Sequence, residues 1–188
     1  NFSNKTDSGL TLGMTVDFHT DSATDDGAGL IDESSLSIAG GFGTIVLGKN
    51  DGVGDTYTMD ESDLIQEDEA PFQTGSATVA VNSELYSGSG DANKIAYHLP
   101  AMGGLTAGIS HRDASAAGGS DHTSMGAKYS MTAGGAAIDL AYATNTSENS
   151  TQDIDSETMG MKIVSGDISV IISQGGYEAS GEDWESMG

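Results

Sequence analysis

Residues 10–18 read LTLGMTVDF, and every second residue of this stretch, from Leu10 to Phe18, is apolar. The residues between them, from Thr11 to Asp17, are small or polar. Successive side chains of a β-strand point to opposite faces, so a period of two indicates a strand with one apolar and one polar face. The stretch therefore predicts an amphipathic strand.

The same alternation recurs along most of the chain. Clear examples lie at residues 95–99, 105–109, 125–131, 138–142, 159–163 and 168–172, and weaker ones at 36–38 and 43–47. We count about nine strands by this pattern, with a stub at residues 1–4 and a further candidate strand from Trp184. The sequence therefore predicts an all-β protein built from antiparallel strands.

The connectors between these strands alternate in length. Short glycine-rich turns at residues 40–41, 102–104, 133–135 and 165–167 are interleaved with longer polar connectors at 21–32, 113–123, 145–156 and 174–183. Tight turns at one end and long loops at the other are typical of an up-and-down transmembrane β-barrel, with the turns periplasmic and the loops external.

Composition and charge exclude several other classes. The net charge is -23, from 29 acidic and 6 basic residues, and such a surface repels nucleic acid. There is no cysteine, which rules out disulfide scaffolds and thiolate metal sites. No apolar run approaches the roughly 18 residues that a membrane-spanning helix needs.

Charged residues of the strands share one face. Asp17, Lys94, Arg112, Lys128, Asp139 and Lys162 all fall on the polar parity of their strands. A charge on a lipid-facing position costs about 2 to 4 kcal/mol near the bilayer midplane, so a barrel must segregate its charges in this way. We predict that these six residues line the lumen wall.

The apolar faces also carry aromatic residues, which are candidates for interfacial girdles: Phe18, Phe42, Tyr97, Tyr129 and Tyr142.

A soluble β-sandwich is the alternative interpretation of the same pattern. Its apolar faces would form the core, and the protein would act as a secreted, non-catalytic adhesin or lectin-like binding module. The many loop carboxylates could then bind Ca²⁺, although no EF-hand or glycine-aspartate repeat spacing is present. Solubility in water without detergent would favour this alternative. The barrel interpretation calls for no cofactor.

The segment from about residue 50 to 93 interrupts the pattern. It contains no Lys or Arg, and the carboxylates that we assign to a pore constriction are Asp51, Asp55, Asp60, Glu61, Asp63, Glu67, Asp68, Glu69 and Glu84. Residues 60–63 predict the start of a short helix that Pro71 would end. A loop folded into the lumen would narrow it and favour cations, by the logic of charged rings in channels. Alternatively, these acids only solvate an external loop.

Several segments together resemble the general porins of α-proteobacteria: residues 6–13, 35–51, 94–97 and 103–110. Their order and spacing match that family over roughly the first 112 residues. The resemblance implies homotrimers of sixteen-stranded barrels in the outer membrane of a Gram-negative bacterium. It also implies diffusion of small hydrophilic solutes, with residues 50–93 as the constriction loop. Lys94 and Arg112 are assigned to the wall by parity alone.

The resemblance also bears on the extent of the chain. A terminal aromatic strand is expected of such porins, whereas this chain ends in Ser186-Met187-Gly188. We therefore expect residues 1–188 to be one internal barrel segment, covering about strands 2 to 11, with strands missing at both ends. A smaller closed barrel of about ten strands is the other interpretation.

Catalytic patterns are weak. His19, His98, His111 and His122 are scattered singly, without the paired spacing of metalloproteases. No Gly-x-Ser-x-Gly elbow precedes a helix. We predict that the protein is not an enzyme. An acidic hydrolase is a third interpretation, which would require a pocket of paired carboxylates.

Overall fold

The computed structural model describes residues 1–18, 31–59, 92–113, 119–148, 153–179 and 182–187. These ranges contain eleven strands and one short helix. The elements are β1 (Phe2–Lys5), β2 (Thr11–Phe18), β3 (Ile31–Gly40), β4 (Gly43–Asn50), α1 (Val53–Tyr57), β5 (Ala92–His98), β6 (Leu105–Arg112), β7 (Asp121–Ala133), β8 (Ala136–Glu148), β9 (Asp153–Ser165), β10 (Ile168–Ala179) and β11 (Glu182–Met187).

All the described strands form one antiparallel meander. Each strand pairs with the next in sequence, from β1 through β11, and the first and last strands do not pair with each other. The eleven described strands are thus an open up-and-down sheet, which confirms the predicted all-β antiparallel architecture. The stub at residues 1–4 and the candidate strand near Trp184 are β1 and β11.

The two faces of the sheet have opposite exposure. On the apolar face Leu36 is 56 % exposed, Met125 51 % and Ile172 52 %. On the polar face Ser124 and Ser173 are 2 % exposed and Thr158 is 1 % exposed. A sandwich buries its apolar faces, so this arrangement is the reverse of a sandwich core and matches a barrel wall that meets lipid outside.

The strands are staggered as well as paired. Thr44, His98, Gly108 and Gly126 follow one another across β4 to β7 as direct cross-strand neighbours. Thr44 lies next to the β3–β4 turn, whereas Gly126 lies well before the β7–β8 turn at Gly134. The hydrogen-bonded partners thus lie further from their turn in each later strand. Strands whose turns lie near one plane must then be tilted, as the strands of a barrel are.

The short turns are glycine-rich for a conformational reason. Gly134 and Gly135 join β7 to β8 with φ of 59° and 85°. Two consecutive residues at positive φ form the hairpin turn whose twist matches that of the flanking strands. This connection has the tight-turn geometry expected from its sequence.

At the other end of the sheet, the strands extend further than predicted. β8 runs to Glu148 and β9 begins at Asp153, while β10 runs to Ala179 and β11 begins at Glu182. The predicted long connectors at 145–156 and 174–183 are therefore wrong. Past Tyr142 the apolar positions give way to Thr144 and Thr146, so the alternation ends although the hydrogen-bonded ladder continues.

Aromatic residues lie near both borders of the apolar face. Phe42 occupies the β3–β4 turn and accepts a hydrogen bond on its carbonyl from Tyr97 Oη. Towards the loop end, Tyr142 Oη donates to Glu157 Oε2 (2.9 Å). Phe42 and Tyr142 are exposed at the two ends of the apolar strip, where aromatic rings suit a membrane interface. No helix in the described ranges is long and apolar enough to cross a membrane.

Candidate functional site

A short helix lies on the polar face of the sheet. α1 directly follows β4 and forms the described start of the long acidic segment. Its N-terminus is closed by Asp55, whose Oδ2 accepts a hydrogen bond from the Gly52 N–H (3.1 Å). At its C-terminal end the Thr58 N–H donates to the Gly54 carbonyl (2.9 Å). The helix is thus a single capped turn.

The wall supplies partners for the first amides of this helix. The Val53 N–H donates to Ser110 Oγ on β6, and the Gly54 N–H donates to Ser124 Oγ on β7, each at 3.0 Å. The two serine hydroxyls are 2.8 Å apart and occupy directly opposed positions. The first amides of a helix have no partner within it, so these serines cap α1 from outside.

Apolar side chains hold α1 down beyond these hydrogen bonds. Val53, Tyr57 and Met59 are buried, and Val53 and Tyr57 pack with Ala96 of β5. Tyr57 Oη lies 3.3 Å from His98 Nδ1, and the two rings are 6.0 Å apart. This polar face therefore carries a small apolar cluster beneath the start of the loop.

Two of the predicted acidic residues lie at this contact. Asp51 is exposed and Asp55 is half-buried. Burial raises the pKa of the Asp55 carboxyl, and the neighbouring Asp51 charge raises it further, while the Gly52 N–H and the Lys94 charge act in the opposite direction. The predicted acids Asp60, Glu61, Asp63, Glu67, Asp68, Glu69 and Glu84, and the helix predicted at residues 60–63, lie outside the described residues.

Basic residues occupy the same face beside α1. Lys94 of β5 is buried, and its charge acts on Asp55. Arg112 of β6 stands directly opposite His122 of β7, on the loop side of the two capping serines. His122 is one of the histidines that are scattered singly in the sequence, yet it shares the parity of Ser124 and Lys128. That shared parity was the signal that could have placed it on the polar face.

A second charged group lies nearer the turns. Lys128 Nζ is 3.8 Å from Asp139 Oδ2, and Asp139 stands directly opposite Lys162 on β9. All three predicted wall residues are thus brought together on the polar face. The ion pair is partly exposed, so it contributes at most about 1 kcal/mol to stability.

Asp17 differs from the other predicted wall residues. The register between β2 and β3 shifts between Val16 and Phe18, and Asp17 is exposed within this irregular stretch. Parity is a weak guide where a strand bulges, so the wall position of Asp17 stays a prediction. Within the described ranges, no group of three or more His, Asp or Glu side chains could hold a metal ion.

Comparison with known proteins adds family information to this geometry. The sequence model of the Gram-negative porin family matches residues 1–185. The chain belongs to the Gram-negative porin family. This porin is accordingly a protein of the Gram-negative outer membrane, and the predicted family and location are confirmed. None of the curated protein sequences matches it.

Solved structures support the fold of this porin. In vitro folded OmpT, an outer membrane protein of Vibrio cholerae, in its trimer form, is 15 % identical with a TM-score of 0.52; the match covers 98 % of this chain and 70 % of that one. A loop L8 deletion mutant of OmpT is 14 % identical with a TM-score of 0.51, covering 98 % and 74 %. At such identities the likeness shows the fold alone.

Proposed function

We propose that this porin is a passive diffusion channel for small hydrophilic solutes and ions, that it prefers cations, and that it has no catalytic activity. The observation that carries the proposal is the position of α1. The acidic segment starts on the polar face of the sheet. By this proposal Asp51 and Asp55 there lie close to the path of a permeating ion.

Cation preference follows from the charge of this segment. Carboxylates at a narrow passage attract cations and repel anions, and low-dielectric walls strengthen that field. Lys94 and Arg112 lie on the polar face beside α1, so basic and acidic groups stand next to each other at the start of the segment, and by this proposal the net negative charge of the whole segment decides the preference. The seven acids between Asp60 and Glu84 belong to the same segment, and by this proposal they add to the negative side.

A non-catalytic role is supported by the surroundings of two of the three described histidines. His98 contacts Tyr57, and His111 Nδ1 lies 2.9 Å from Thr123 Oγ1 on the exposed apolar face. Neither pair combines a nucleophile with a base and an orienting acid, which is the arrangement that hydrolytic triads use. Membership of a channel family agrees with this reading.

The proposed assembly is a homotrimer in outer-membrane lipid. The OmpT structure similar to this porin is described in a trimer form. The exposed apolar face of this chain needs either lipid or a neighbouring subunit against it, because water would solvate it poorly. Cross-linking of the native protein in its membrane would report the subunit number.

Reconstitution into planar bilayers tests the channel and its selectivity separately. The native porin should give stepwise conductance and a reversal potential that favours cations. Replacing both Asp51 and Asp55 with Asn should move the reversal potential towards zero. Asp167→Asn removes one exposed carboxylate from the turn at the far end of β9 and serves as the matched control.

The outcomes are distinct. A native porin without stepwise conductance would overturn the channel. A conducting porin that prefers anions, or whose reversal potential is the same in the doubly substituted variant, would overturn the assignment of cation preference to this segment.

A further inference from the structure

We propose that three glycines of the wall, Gly108, Gly126 and Gly160, form a seat that fixes how far the loop segment projects into the lumen. They would thereby help set the largest solute that passes. This inference rests on the proposed channel function and names residues that position its narrow part. The glycine seat lies on β6, β7 and β9 of the polar face.

Gly126 makes the closest approach. A Cβ atom at this position would lie 2.6 Å from Tyr57 Cβ and 3.0 Å from Tyr57 Cδ2. Gly126 is not among the glycines with positive φ, so its backbone conformation does not itself require glycine. The requirement comes from the helix, since any side chain at this position would collide with the last residue of α1.

Gly160 likewise leaves room for the residues that follow α1. A Cβ atom there would lie 2.7 Å from the Met59 carbonyl oxygen and 2.9 Å from Met59 Cβ. At Gly108 the added atom would be 3.3 Å from Val53 Cγ1, and also 2.8 Å from the Tyr97 carbonyl of the neighbouring strand. The seat thus contacts the three buried anchors of the segment, Val53, Tyr57 and Met59.

The direction of movement follows from what surrounds the seat. β7 and β9 are hydrogen-bonded to strands on both sides, so the wall cannot yield easily. In the proposed channel the other side of α1 faces the lumen. Carbon atoms in contact prefer about 3.5 to 4.0 Å, so a single methyl group at Gly126 should lift α1 by about 1 Å. A branched side chain should lift it further and weaken its attachment.

Disulfide trapping can measure the seated state directly, because the chain has no cysteine of its own. A Cβ atom at Gly54 would lie 3.2 Å from Asn145 Cγ on β8. Cysteines introduced by Gly54→Cys and Asn145→Cys should therefore be within disulfide reach and should oxidise readily in the folded porin. Gly126→Val in this background should slow the oxidation by about tenfold, since disulfide geometry is narrow.

Conductance measures the consequence. Gly126→Val, without the cysteines, should reduce the single-channel conductance to roughly half and exclude the largest solutes that the native porin admits. Gly13→Val is the matched control. Gly13 faces the polar side of β2, where the three atoms nearest to the added atom would be the rotatable Ser37 Oγ, Ser37 Cβ (3.8 Å) and the Phe2 carbonyl oxygen (3.8 Å). None of them belongs to α1, so both readouts should stay native. Gly160→Ala provides a milder second test if Gly126→Val fails to assemble.

The oxidation and conductance measurements test the seat and its role in the passage separately. Failure of the 54–145 pair to oxidise in folded porin, or an oxidation rate that Gly126→Val and Gly160→Ala leave unchanged, would overturn the seat. Slower oxidation with native conductance and size limit would overturn its role in the passage. A native porin without conductance, whose 54–145 oxidation still depends on Gly126, would instead count against the proposed channel function.

Discussion

Asp55 shows how one residue serves both local structure and the proposed passage. Its carboxylate accepts the Gly52 N–H and so closes the start of α1. The same carboxylate is half-buried, and burial raises its pKa above the ordinary range near 3.9. The residue therefore caps the helix while its negative charge opposes docking of the helix on the wall.

The sign of the pH dependence follows from the raised pKa of Asp55. The docked segment holds the Asp55 proton more tightly than the undocked segment does. Protonation of Asp55 therefore stabilises docking, and this stabilisation is fully present below the ordinary Asp pKa. It is lost as pH rises through the raised pKa of Asp55. Asp55→Asn keeps an acceptor for Gly52 and removes the titration, so docking in the variant should depend less on pH.

Amide hydrogen exchange across residues 53–58 would check this prediction, once corrected for the intrinsic pH dependence of exchange. Native protection should fall as pH rises above the ordinary Asp range. Asp51→Asn is the comparison: it leaves the titrating Asp55 in place and removes only the neighbouring charge that raises the Asp55 pKa further, so the slope should become shallower but keep its sign. Native protection that rises over this range, or an Asp55→Asn variant with the native slope, would contradict the prediction.

At the scale of elements, α1 depends on hydroxyl groups of the wall. Ser110→Ala should leave the buried Val53 N–H without an acceptor, and Ser124→Ala should do the same for Gly54. An unsatisfied buried donor costs about 1 to 3 kcal/mol, so either variant should lower the protection of these amides by roughly tenfold or more. Exchange of these two amides in the folded porin is the measurement.

Ser130→Ala offers a matched comparison for the capping serines. Ser130 lies on the polar face of β7 like Ser124, but it is exposed near the turn end. Its replacement should leave the amides of α1 protected as in the native porin. Equal effects from Ser124→Ala and Ser130→Ala would mean that the strand, and not the cap, was disturbed.

Strand β8 contains two environments along one face. Leu140 lies within the apolar strip, whereas Thr144 lies past Tyr142, opposite Glu157 of β9. Leu140→Arg should destabilise the folded porin by about 2 to 4 kcal/mol, because it places a charge against the lipid core. Thr144→Arg should cost roughly 0 to 1 kcal/mol, because it lies near the interface.

Denaturant unfolding in lipid vesicles would compare these two variants. They add the same side chain to the same face of the same strand, so strand propensity and net charge are matched. Equal destabilisation would mean that the apolar strip is not the lipid-facing belt.

At the scale of the whole molecule, charge is sorted by position. The chain has 6 basic residues, and all but Lys49 share the polar parity of their strands. The acidic excess of the chain lies largely elsewhere, much of it in the long segment after β4. The polar face of the described strands is therefore relatively basic, and the acidic residues concentrate in a segment that follows β4 in sequence.

Asp139 is the one described acid within the turn-side group of the wall, between Lys128 and Lys162. Asp139→Asn should leave two lysines facing the lumen and make the native cation preference weaker. Reversal potentials in planar bilayers would measure the change. Glu157→Gln removes one carboxylate from the outer face of β9 and should have no effect; a shift as large as that of Asp139→Asn would tie selectivity to net charge instead of position.

The sequence predicted strands best where their two faces meet different environments. At β8 and β9 the apolar strip between Ile138 and Tyr142 made the alternation clear, and the paired register follows it. Beyond the strip both faces are polar, so strand and loop look alike in sequence. The ends of β8 to β11 are defined only by the backbone pairing in the structure.

The candidate site was predicted in part. Composition picked out the acidic segment, and parity picked out five residues that lie on the polar face, namely Lys94, Arg112, Lys128, Asp139 and Lys162. Their place in a lumen wall stays a prediction. α1 was missed, because a five-residue turn that includes Gly54 has little helix propensity of its own. It forms because wall serines cap it and its apolar residues have somewhere to pack.

By itself, the sequence of this porin determined the architecture: a period of two sets the strands and their faces, and glycine-rich turns set the order of pairing. These signals are local, carried by neighbouring residues. Only the tertiary structure decided that the segment after β4 starts on the polar wall, over Gly126 and Gly160. That placement depends on contacts between residues far apart in sequence. A local sequence pattern does not show that the glycines leave room for the segment.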